Sequence, residues 1–149
     1  MPTEDEYKKL EEELKKSKKF KELRKDLKNV KRIVDKNTIL AHQNDDYKHR
    51  SASLASAATR YAQKEMFHEA SSQYESLFKE LCKTDSNEIY TGGLSKEDEK
   101  EILKLLKHVE KDAFNYAKRA KEGGQYDDAA SLLKYAKRAR EILDSYEKK

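Results

Sequence analysis

Tryptophan is absent from this chain, and proline and cysteine occur once each among its 149 residues. A single thiol, Cys82, cannot close an internal disulfide, which removes the small disulfide-stapled domains and points to a reducing compartment. Its neighbours Leu77, Phe78 and Leu81 mark Cys82 as a packing residue rather than a reactive one. With one proline and four glycines, the chain carries few residues that interrupt a helix. No stretch approaches the ~20 consecutive apolar residues of a membrane-spanning helix. The opening Met1-Pro2-Thr3-Glu4-Asp5-Glu6 is acidic with no apolar run behind it, which excludes an ordinary signal peptide. These absences together predict a soluble, cytoplasmic protein.

What the chain has in abundance is charge. Charged residues make up 42% and hydrophobic ones 36%, with a formal net charge of +4. Such a load is compatible with disorder, but nine tyrosines, four phenylalanines and leucines at regular spacing argue for a packed core. The richness in Lys, Glu, Leu and Ala favours helices over strands. The expected fold class is therefore all-α, with five to six helices arranged as antiparallel hairpins in a short solenoid or irregular bundle.

Thr3 followed by Glu6 reads as a capping box that starts a helix. Its apolar positions fall in two sets, Tyr7-Leu10-Leu14 and Phe20-Leu23-Leu27-Val30-Val34, which do not share one face. The expectation is a charged N-terminal helix over 1–37 with a loosely held, frayed first half and a docked second half. Residues 38–149 then form a helical-hairpin domain, with hairpins near 45–83 and 96–147 and a loop over 84–95 around Gly92-Gly93. The inner positions are Tyr47, Ser51, Leu54, Ala58 and Tyr61, then Phe67, Ala70, Tyr74, Leu77, Phe78 and Leu81. In the second hairpin they are Ile102, Leu106, Val109, Ala113, Ala117 and Ala120, then Tyr126, Ala129, Leu133, Ala136, Ala139 and Leu143. Ser51, Ser53 and Ser56, on an alanine-rich stretch, read as small packing residues, and phosphorylation of Ser53 after Arg50 would disrupt that packing.

Little in the sequence points to catalysis. His42, His49, His68 and His108 have no metal-site spacing, although His49 with Asp45 and Asp46 makes a weak exposed cluster. The carboxylates sit in charge-mixed helices, and Ser51, Ser53 and Ser56 have no base partner. No enzyme activity, cofactor or metal is expected. One charge pattern does stand out: between Lys15 and Arg32, ten positive residues face only Glu22 and Asp26. Lys18, Lys21, Lys25, Lys28 and Arg32 recur at helical steps, with Arg24 and Lys31 alongside. That stripe is suited to a polyanion, either nucleic acid or an anionic membrane surface. It holds no aromatic and more lysine than arginine, which is poorly suited to reading bases. Pairing of this N-terminal helix between chains would make a self-associating protein.

A short phrase occurs twice: Phe67-His68-Glu69-Ala70 and Tyr126-Asp127-Asp128-Ala129, each just after a helix end. Around the first, Leu54, Ala58, Tyr61, Phe67, Ala70 and Tyr74 within 51–84 resemble a tetratricopeptide repeat, a helix-turn-helix unit of about thirty-four residues. Around the second, Ala117, Gly124, Tyr126, Ala129, Leu133 and Ala136 within 110–143 resemble the same unit. The pattern is departed from at Ala57, Leu77 and Glu65, the last standing where the turn glycine belongs. The copies also lie too far apart for tandem repeats. The second hairpin is similar, too, to microtubule-interacting and trafficking domains, three-helix bundles whose third helix would have to follow Lys149. Both resemblances imply a noncatalytic adaptor or scaffold that binds a protein or peptide segment in a groove between hairpins. Arg60 and Arg119 hold the same place in the two copies, so Arg60, Tyr61, Tyr116 and Arg119 are the expected rim of that groove.

Overall fold

A computed structural model describes residues 2–15, 17, 46–81 and 96–147. Five helices form among these residues: α1 (Glu4–Leu14), α2 (Asp46–Gln63), α3 (Phe67–Leu81), α4 (Lys96–Glu122) and α5 (Tyr126–Glu147). No strand occurs among them, and none of these helices is long and apolar enough to cross a membrane. The all-α expectation holds. The basic stripe Lys18–Arg32, Cys82, His42 and the loop over 84–95 lie outside the described residues.

The capping box is present. Thr3 Oγ1 accepts the Glu6 N–H at 3.2 Å, and the Glu6 carboxylate accepts the Thr3 N–H at 3.4 Å. Glu4, Asp5 and Glu6 place negative charge at the positive end of the helix dipole. The expectation of a loosely held first half is overturned. Tyr7, Leu10 and Leu14 are buried in the common core, because their i, i+3, i+7 spacing gives α1 one apolar stripe and the α4–α5 hairpin covers it.

The two hairpin turns share one backbone design. In the first, the Met66 N–H donates to the Tyr61 carbonyl at 2.9 Å and the Glu65 N–H to the Ala62 carbonyl at 3.0 Å. In the second, the Gln125 N–H donates to the Ala120 carbonyl at 2.8 Å and the Gly124 N–H to the Lys121 carbonyl at 2.9 Å. This pair of bonds closes a helix through a left-handed residue, here Glu65 at φ 60° and Gly124 at φ 79°. Glu65 occupies a conformation that glycine adopts without steric cost. The doubled phrase thus marks the same turn twice, but its aromatics differ. Phe67 is buried, whereas Tyr126, expected on the inner side, is 49% exposed. Tyr126 carries a hydroxyl that burial would oblige the core to pair, and at the helix start solvent satisfies it.

The remaining inner positions of α3, α4 and α5 are buried as their periodicity predicts. Alanines 113, 117 and 120 on α4 and 129, 136 and 139 on α5 are fully covered, so this hairpin packs through small side chains. On α2, Ser51 is buried but Ser53 and Ser56 are exposed, which corrects their reading as packing residues. At 100° per residue both fall on the side of α2 opposite Ser51 and Ala58.

The hairpins lie side by side with like helices adjacent and parallel. Lys48 Nζ donates to Asp98 at 2.6 Å and Thr59 Oγ1 to Asp112 at 3.3 Å, so α2 runs along α4 in the same direction. The Tyr135 ring stacks on Phe78 at 5.8 Å, and Arg138 lies 5.0 Å from the Phe78 ring centre, joining α3 to α5. On the other side of the α4–α5 hairpin lies α1, parallel to α4 and antiparallel to α5. A third helix against this hairpin therefore comes from ahead of it in the chain.

Candidate functional site

The most developed polar site among the described residues lies where α1 meets α4 and α5. Its centre is Glu110, a carboxylate on the buried side of α4 that is 0% exposed. The Tyr7 hydroxyl donates to Glu110 Oε2 at 2.8 Å, and Arg140 Nη1 on α5 donates to Glu110 Oε1 at 3.2 Å. Arg140 also binds Asp144 one turn further on, at 2.9–3.0 Å. Burial pushes the Glu110 carboxyl above the usual carboxylate range, against the opposing pull of the Tyr7 hydrogen bond and the Arg140 charge. Burial likewise drives the Tyr7 phenol far up, with the Glu110 charge adding to it, so Tyr7 stays a hydrogen-bond donor.

Around this centre α1 is held as an amphipathic helix in a groove. The Tyr7 ring meets Phe114 of α4 edge-on, at 4.9 Å and 68°. Leu10 and Leu14 are 2% and 0% exposed beneath the helix. The flanks are ionic: Glu13 pairs with Lys121 of α4, and Glu11 pairs with Lys137 of α5. Burial lowers the Lys137 ammonium from its ordinary value. Just past the helix, Ser17 Oγ donates to Asp127 at 2.7 Å. Acidic side chains of α1 thus meet basic ones of α4 and α5. The helix does not fill its groove: a cleft of about 220 Å³ remains between α1 and α4, with Leu10 and Phe114 in its lining and Lys118 on its α4 side. Lys118 Nζ also lies 5.7 Å from the Phe114 ring centre.

Of the four residues expected to rim a groove between hairpins, Tyr61 and Tyr116 are half-buried and Arg60 and Arg119 are exposed. Tyr116 and Arg119 come together, with the guanidinium 5.8 Å from the ring centre, on the α2-facing side of α4. Tyr61 sits three helical turns after Arg50, which binds Glu80 of α3, so Tyr61 lies on the α3 flank of α2. His49, His68 and His108 are exposed, and no group of three His, Cys, Asp or Glu side chains among the described residues could hold a metal ion.

Sequence reasoning missed the α1 groove because its parts lie at opposite ends of the chain. Two signals were available: Glu110 falls on the apolar stripe of α4 between Val109 and Ala113, and the acidic α1 has its own short apolar stripe. Comparison with protein-family models, with curated proteins and with solved structures finds no match to this chain.

Proposed function

We propose that this protein is a noncatalytic scaffold whose α4–α5 hairpin binds a helical segment of a protein partner. The observation that supports this reading is α1 itself: an amphipathic helix lies in the groove, anchored by Tyr7, Leu10 and Leu14 and flanked by charge pairs. Helix-in-groove recognition uses such i, i+3, i+7 anchors. The resemblance of both hairpins to tetratricopeptide units, and of the second to microtubule-interacting and trafficking domains, supports the same class of function. The test is site-specific photo-crosslinking from position 118, at the groove edge, in extracts. A crosslinked protein should be recovered from the native chain and lost when Lys121→Glu and Lys137→Glu are introduced together. Equal recovery from both would remove the groove from the account.

The alternative is polyanion binding through Lys18, Lys21, Arg24, Lys25, Lys28, Lys31 and Arg32, and the local excess of positive charge favours it. Its signature is affinity for duplex DNA, RNA or anionic vesicles that falls steeply with salt. Absence of binding at about 50 mM salt would end this reading.

A further inference from the structure

We propose that α1 is a displaceable occupant of the α4–α5 groove, holding the place of an acidic amphipathic helix presented by another protein. This rests on the groove being a helix-binding site, and it adds the chemistry of the partner and a means of regulation. Three observations carry it.

First, the charges are complementary. Glu11 and Glu13 face Lys137 and Lys121, and the first turn of α1 adds Glu4, Asp5 and Glu6. Second, the fit is incomplete. The cleft of about 220 Å³ beside α1 is walled mostly by charged side chains, among them Lys9, Lys118 and Lys121, over the nearly fully buried Leu10 and Phe114, and a longer acidic side chain on an occupant helix would fill it. Third, the floor makes a specific demand. Glu110 is buried, and its Oε2 accepts its hydrogen bond from α1. An occupant must bring a donor to that atom, as the Tyr7 hydroxyl does, or leave an under-satisfied buried carboxylate.

The helix that fits therefore has tyrosine at its first anchor, apolar residues three and seven positions later, and carboxylates on the flanks. At 11 residues α1 is shorter than the roughly 12–15 that an isolated helix needs in water, so its helix depends on the groove. It is tethered to the hairpins through residues 18–45, which makes docking intramolecular. Covalent linkage raises the local concentration of α1 at the groove above that of a free helix. A free helix of equal intrinsic affinity then competes poorly, and a partner wins by filling the cleft or by arriving at high local concentration.

The experiment uses the full chain and a fluorescein-labelled peptide of residues 2–17. It should bind a Leu10→Asp, Leu14→Asp chain at least about tenfold more tightly than the native chain, because only the variant has vacated its groove. Adding Lys121→Glu and Lys137→Glu to that variant should abolish binding. Equal binding to native and variant chains would keep the helix site but overturn α1 as its competitor. Binding to neither would overturn both. Should the double aspartate variant lose its fold, the native chain answers alone: excess isotopically heavy peptide should speed hydrogen exchange of the α1 amides while α4 and α5 stay protected. Unchanged α1 exchange would overturn the proposal. Association of native chains that is lost with the aspartate variant would mean that α1 docks on a second copy, which also overturns it.

Discussion

Replacing Tyr7 by phenylalanine isolates the bond at the centre of the α1 groove. The ring stays, so its edge-on contact with Phe114 at 4.9 Å is kept, and only the hydroxyl that donates to Glu110 at 2.8 Å is lost. Glu110 has no exposure to recruit water in its place and keeps a single donor, Arg140, at 3.2 Å. A hydrogen bond to a charged group contributes about 1.5–3 kcal/mol, and that range is the predicted loss. Urea unfolding at neutral pH reads it as a lower midpoint with little change in slope. The loss should also depend on pH. The Tyr7 bond favours the ionised carboxylate, so in Tyr7→Phe the Glu110 carboxyl rises further, and its penalty is relieved once it is protonated. The deficit should therefore shrink as the pH is lowered from neutral. A deficit below about 0.5 kcal/mol, or one that grows on acidification, would refute this account of Glu110.

Other substitutions test the turns, the core and the buried carboxyl. Glu65→Gly should raise stability by about 0.5–1 kcal/mol by relieving the left-handed turn, whereas Gly124→Ala should lower it by about 1 kcal/mol, both by thermal or urea unfolding. Ala117→Leu should cost at least about 1–3 kcal/mol by overpacking the alanine contact between α4 and α5. Ser53→Asp should leave stability within about 0.5 kcal/mol, and Ser51→Asp should cost several times more, because only Ser51 is buried. The Glu110 carboxyl is raised in the folded state, so its contribution is present below the unfolded carboxylate range and is lost as pH rises through the folded value. Measured against Glu110→Gln, the native chain should accordingly gain relative stability as pH falls from neutral; a constant difference would contradict the raised carboxyl.

The helices were legible wherever one apolar stripe faced one neighbour. The stripe Ile102-Leu106-Val109-Ala113-Ala117-Ala120 predicts the buried side of α4 residue by residue, and the Thr3–Glu6 pair predicts where α1 starts. Legibility failed where a helix has more than one neighbour. Besides its predicted stripe, α5 buries Leu132, Tyr135 and Ile142, because it packs against α3 and α1 as well as α4. The groove was hidden for a related reason. Docking of α1 joins Tyr7 to Glu110 and Glu13 to Lys121, pairs that no local spacing connects.

The central claim is that α1 lies in the α4–α5 groove, and proton–proton contacts in the full-length chain test it most directly. With the Tyr7 and Phe114 rings 4.9 Å apart, nuclear Overhauser effects between their ring protons should be strong at neutral pH. They should weaken when Glu13→Lys and Glu11→Lys reverse the flanking charges, and return when Lys121→Glu and Lys137→Glu are added. Absence of these contacts in the native chain, with α4 and α5 folded, would contradict the docked helix and the helix-binding function built on it.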